Sequence, residues 1–169
     1  MSASCDHDLY TTLKATATSP ILAFSSTSGP TGSPFDPSNI YAYRTPDCIM
    51  HFHPGSSMAP PFNGPITRVQ HEPALLMLGA VMEKMHWAIH EVTVDTAART
   101  VAARLTAHYT FKPVKEDLRS VEWPIEYVWV VECDESGEKI VRMEECLDAE
   151  RAGFMLKRAA KYAEEHPSA

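Results

Sequence analysis

The sequence predicts an α+β fold, with helices first and then a long antiparallel meander. Two observations carry this. Apolar residues recur at helical spacing between residues 8 and 85, whereas from His86 to Asp148 the period changes to two. Most of the thirteen prolines fall in the first half, and the strands run almost free of them. A curved sheet wrapped around two or three N-terminal helices makes a cone with one open mouth. At 169 residues, 18.8 kDa and 44% hydrophobic, residues 1–169 suit a single domain with a sizeable core.

Leu9, Leu13, Ala17 and Ile21 set a first helix over about residues 8–24, interrupted by Pro20. Residues 25–34, Ser25 to Pro34, are short, polar and rich in breakers, and read as a flexible surface loop. Asp36-Pro37 opens a second helix as N-cap and first helical residue. That helix carries Ile40, Tyr41, Tyr43 and Arg44 and ends before Pro46. Cys48 to His53 reads as a short strand. After a Pro/Gly loop, Thr67 is an N-cap with Gln70 three residues on, and the next helix is striped by Leu75, Leu78, Met82 and Met85. Pro73 lies early in it, where a missing amide costs little if the helix effectively starts there.

The meander follows. Trp87 to Val94 is one strand, Asp95 to Arg99 its turn, and Thr100 to Phe111 the returning strand, with Val101, Ala103, Leu105, Ala107, Tyr109 and Phe111 on one face. A loop from Pro113 to Ser120 precedes a strand over about Trp123 to Cys133. Asp134 to Gly137 is a hairpin turn and Lys139 to Asp148 the last strand. The final helix, Ala149 to Glu165, has a narrow apolar stripe of Met155, Ala159 and Tyr162, as expected of a solvated surface helix.

Composition excludes several classes. A net charge of −7 and a pI near 5.6 do not suit a polyanion-binding surface, so nucleic acid is not expected as a partner. Cys5, Cys48, Cys133 and Cys146 form no CxxC pair, the start lacks a basic region followed by an apolar core, and no apolar run reaches membrane length. The expected setting is the reducing cytoplasm, without a membrane partner. GxGxxG, GxxxxGK[ST] and GxSxG are all missing, so nucleotide folds and serine hydrolases have no support.

The last two strands hold the most informative pattern. Ile125, Tyr127, Trp129 and Val131 make a wholly apolar and aromatic face, while Glu126 and Glu132 lie opposite. On the next strand Val141, Met143 and Leu147 share their face with Glu145, which places a carboxylate on the core-directed side. Burial raises such a pKa and a nearby cation lowers it, and either state suits general acid or base work. The alternatives are a structural carboxylate tied to an Arg or backbone partner, or a local bulge that turns it outward. Arg44 is a natural partner for Glu145 and could equally stabilise the C-terminal carbonyls of its own helix. Tyr127 and Tyr109 either reach a cavity with their hydroxyls or pack in the core with satisfied ones. Trp123 and Trp129 either wall a pocket or fill the core, and Phe52 and Met143 complete the expected lining. His51-Phe52-His53 puts two imidazoles on one strand face, with His90 and His108 as candidates to join them. No third ligand stands at a recognisable spacing, so no metal and no cofactor are expected.

Three motifs in order carry a family resemblance. Ala42-Tyr43-Arg44-Thr45-Pro46-Asp47-Cys48, Ile125-Glu126-Tyr127-Val128-Trp129-Val130 and the stretch Gly137 to Asp148 resemble segments of fungal SnoaL-like proteins, within the NTF2-like superfamily. The chain departs from that pattern in its Ser/Gly/Pro insert, at Cys146 and at Trp123-Pro124. The resemblance implies a cone-shaped barrel, usually a homodimer through the outer face of the sheet, with a deep apolar pocket. It implies a cofactor-free isomerase, cyclase, dehydratase or rearrangement enzyme acting on polycyclic natural products. Semipinacolase-type relatives place an arginine, a tyrosine and a glutamate around a substrate carbonyl, and Arg44, Tyr127 and Glu145 match those positions. The expectation is therefore a cofactor-independent isomerase or cyclase of a hydrophobic polycyclic metabolite. The alternatives are a non-catalytic module that binds a small ligand or a protein, and a dehydratase using His51, His53 or His108.

Overall fold

The computed structural model describes residues 3–24, 36–115 and 121–167. The expected loop at 25–34 lies outside them, as does most of the Pro113–Ser120 loop. Helix α1 (Ala3–Phe24) passes straight through Pro20. A mid-helix proline costs about 3 kcal/mol, but Leu13, Ala17, Ile21 and Phe24 are buried along one stripe that packs on the sheet, and that burial outweighs it. Helix α2 (Pro37–Tyr41) is capped by Asp36, whose carboxylate accepts from the Ser38 amide at 2.9 Å.

The second helix is shorter than expected. Tyr43 and Arg44 are not in it, and Arg44 opens strand β1 (Arg44–His53) instead. The edge of the sheet captures the chain here. The Tyr43 carbonyl accepts from the Ile140 amide at 2.8 Å and the Ala42 carbonyl from the Lys139 ammonium at 2.7 Å, while Pro46 favours extended backbone before it. Helix α3 (Arg68–Val81) starts with Thr67 and Gln70 paired as expected, the Gln70 side chain accepting the Thr67 amide at 3.0 Å. Pro73 consequently sits in its second turn rather than at its start. Met82 and Met85 leave the expected helical stripe and belong to β2 (Met82–Asp95), because β2 pairs with β3 (Thr100–Phe111) along its whole length, from Met82 opposite Phe111 to Asp95 opposite Thr100. Strands β4 (Val121–Cys133) and β5 (Ile140–Leu147) follow, and α4 (Ala149–Glu165) closes the chain with Asp148 as its N-cap.

The sheet order is β1-β5-β4-β3-β2, antiparallel except for β1, which joins β5 in parallel. The expected antiparallel meander is β2 to β5, and β1, whose pairing the sequence left open, joins it in parallel. The parallel pair needs a long crossover, which α3 and the meander supply. Gly137, in the turn between β4 and β5, takes φ 78°, and a Cβ there would come within 3.1 Å of Leu9 on α1. The apolar faces of β2 to β5 turn toward α1, α3 and α4 and enclose one core. Helix α4 is not simply a solvated surface helix. Ala152, Met155 and Ala159 are buried, and the helix packs on α3 and β4.

Candidate active site

A narrow cavity of about 70 Å³ lies between the concave face of the sheet and the helices that cover it. Its position follows from one cross-strand row. Glu145 on β5 stands between Phe52 on β1 and Trp129 on β4, and Trp129 faces Ala103 on β3. Alanines on β3 leave room for the large neighbours, since Ala103 lies opposite Trp129 and Ala107 opposite Trp87. Trp87 and Trp129 lie 5.3 Å apart between ring centres, with Phe24 of α1 within 6 Å of both.

Of the residues singled out in the sequence, Glu145, Arg44, Tyr127, Tyr109, Trp129 and Phe52 all border this cavity. Met143 and Trp123 do not. Met143 sits behind Arg44, its sulfur 3.3 Å from Nη2. Trp123 faces α4 instead, stacked on Phe154 at 4.1 Å with the Arg151 guanidinium 5.1 Å from its ring. Several bordering residues had no signal of their own in the sequence. Trp87 reads as one aromatic among a strand's alternating positions, while Ala152, Met155 and Leu156 belong to a helix whose pattern looks solvated. His71 carried no signal in the sequence either, and it is buried with its Nδ1 2.8 Å from the Tyr41 hydroxyl. It also borders the cavity.

Electrostatics single out Glu145. Burial pushes its carboxyl up from 4.5 to about 7, against a downward pull from the Arg44 guanidinium. Arg44 is 6% exposed, and burial lowers its own pKa. Its Nη1 donates to the Met50 sulfur at 2.8 Å and its Nη2 to Met143, while Nε has no acceptor among the described residues. Burial holds His71 down to about 3, so its ring is neutral, and keeps both Tyr109 and Tyr127 hydroxyls protonated. Those two hydroxyls lie 2.7 Å apart. One donates to the other, so among the described residues the pair retains a single uncommitted O–H, available to a bound oxygen.

The other histidines stand apart from the cavity. His51 and His53 stack face to face at 6.3 Å, with His53 3.5 Å from Glu144, and His108 lies 3.3 Å from Glu122. Among the described residues no three His, Cys, Asp or Glu side chains converge to hold a metal, and no helix is long and apolar enough to cross a membrane.

No protein-family model and no curated protein matches the chain. Solved structures do, and they show that this chain has the SnoaL-like, NTF2-like fold. PrhC from Penicillium brasilianum is 16% identical with a TM-score of 0.71, the alignment covering 90% of each chain. The BvnE pinacolase from Penicillium brevicompactum is 20% identical with a TM-score of 0.70, over 90% of this chain and 93% of that one. A protein from Shewanella denitrificans described as a putative SnoaL-like polyketide cyclase is 11% identical with a TM-score of 0.62, over 86% and 96%.

Proposed function

We propose that the protein is a cofactor-independent isomerase or cyclase that rearranges a hydrophobic, oxygenated polycyclic metabolite by acid–base chemistry. One observation carries the reading: a carboxyl with a pKa of about 7 borders an aromatic-walled cavity together with a buried arginine. A group poised at neutral pH can both take and return a proton within one turnover. Glu145 would remove a hydroxyl or α-proton and return it elsewhere on the skeleton. Arg44 and the free O–H of the Tyr109–Tyr127 pair would hold the oxygen on which negative charge develops. The apolar wall, including Phe52 and Trp129, keeps water out and the ligand near its reactive conformer. A pinacolase and proteins described as putative polyketide cyclases share this fold, which supports the general kind of chemistry.

A fused-ring substrate exceeds the present cavity, so α3, α4 and the segment bearing Met58 and Phe62 must part to admit it. The working form in this reading is a homodimer formed through the outer face of the sheet. Glu145→Gln keeps shape and removes the proton acceptor. It should lower kcat by about 100-fold or more while ligand binding persists. Full turnover in that variant, measured on fused-ring ketols or hydroxyketones, would overturn the assignment.

A further inference from the structure

Arg44 is a buried cation without a matched anion. Its two Nη groups rest on the thioethers of Met50 and Met143, which are weak neutral acceptors, and its Nε has none among the described residues. No carboxylate lies within 4.0 Å of it among them. Two further buried donors belong to residues that border the same cavity, the indole N–H groups of Trp87 and Trp129, also without acceptors. Unmatched buried donors are costly, and the cost is recovered when a ligand brings acceptors. Against three such donors the cavity offers one carboxyl, Glu145. It is donor-rich and cationic inside a chain whose net charge is −7.

We propose that the ligand enters this cavity as an anion, the delocalised enolate of an acidic β-dicarbonyl group, with its oxygens held by Arg44 and the Trp87 and Trp129 indoles. The proposal deepens the reading of the cavity as a substrate site and rests on it, with Glu145 acting on the bound anion first as the acid that gives a proton to the enolate carbon and then as the base that takes one back. A delocalised enolate suits these walls better than a carboxylate, because its charge is spread over two oxygens and the carbon between them. It therefore loses less on leaving water for thioethers and aromatic rings.

Proton linkage follows. The groups that act on Arg44 are Tyr41 on α2, Cys48 on β1 and Glu145 on β5, and Arg44 in turn acts on His71 of α3. Tyr41 is pushed up to about 12, His71 down to about 3, and burial raises the Cys48 thiol. Near neutral pH only Glu145 changes charge. An incoming anion then finds Arg44 positive and favours a protonated Glu145, so one proton is taken up with the ligand above pH 7. The proton comes from solvent and forms the Glu145 O–H bond, and no other bond forms or breaks in this step.

The test uses the wild-type protein and three small probes that differ in one feature: dimedone, an enolate at neutral pH; its methyl enol ether, neutral and of similar shape; and cyclohexanecarboxylate. Binding is read by calorimetry and by quenching of tryptophan emission. Dimedone should bind at least about tenfold more tightly than either of the others. Its affinity should fall about tenfold per pH unit above 7, the slope of one proton taken up. Glu145→Gln should bind dimedone and lose that slope, and Arg44→Gln should lose the preference for the anion. Equal or tighter binding of the enol ether, tighter binding of the carboxylate, no binding of dimedone, or a slope unchanged in Glu145→Gln overturns the proposal. Failure of the catalytic reading is distinct, since it shows as full turnover in Glu145→Gln whatever the probes do.

Discussion

Glu145 and His71 make opposite demands on the fold. The Glu145 carboxyl is raised to about 7, so its stabilising contribution is fully present below its unfolded value of 4.5 and is lost as pH rises through 7. His71 is lowered to about 3, so its contribution is fully present above 6.5 and is lost as pH falls toward 3. The slopes oppose each other between 4.5 and 6.5, where the wild type should show a flat plateau. Single variants should unmask them. Glu145→Gln should be more stable than wild type above pH 7 by about 3 kcal/mol, at 1.36 kcal/mol per pKa unit, and little changed below pH 4.5. His71→Gln should show a shallower loss toward acid. Urea unfolding across this pH range measures both, and a Glu145→Gln protein less stable than wild type above pH 7 contradicts the burial of its charge. The inward direction of Glu145 was legible from alternation along one strand. The orphaned Nε of Arg44 was not, because it depends on two methionines from different strands.

At the scale of elements, α4 is the one whose role the sequence understates. Its charged outer face dominates the pattern, yet Ala152, Met155 and Leu156 form one wall of the cavity. Its start is fixed by the Asp148 carboxylate, which accepts the Arg151 amide at 3.1 Å, and by Arg151 itself, whose Nη1 donates to the Pro124 carbonyl at 2.8 Å. Asp148→Ala should cost about 1 kcal/mol. Hydrogen exchange should speed in the first turn of α4, where the lost cap frees the amides, with little change in β3. Uniform acceleration across both elements would show instead that the cap supports the whole fold. The misplaced starts of β1 and β2 share one cause. Both segments carry spacings compatible with helix or strand, and pairing with β5 and β3 decides the matter.

At the scale of the whole molecule, the concave face of the sheet is consumed by the cavity and the helices, which leaves the outer face for association. Val128 is 41% exposed there. If that face joins two copies, sedimentation velocity should give twice 18.8 kDa, and Val128→Glu should shift the boundary to the monomer. A monomeric wild type at micromolar concentration would remove the dimer from the proposed working form. The sequence by itself determined the order of elements, the limits of β3 and α4, and which faces of β4 and β5 are apolar. These follow from side-chain direction, a property each stretch of backbone carries locally. Only the tertiary structure decided that Arg44 meets the Glu145 strand, through a parallel pairing that brings Arg44 to Met143, 99 positions away. It also decided that Trp87 joins the cavity while Trp123 faces α4. Such meetings depend on which strands become neighbours and how the sheet curves, and no local periodicity encodes either.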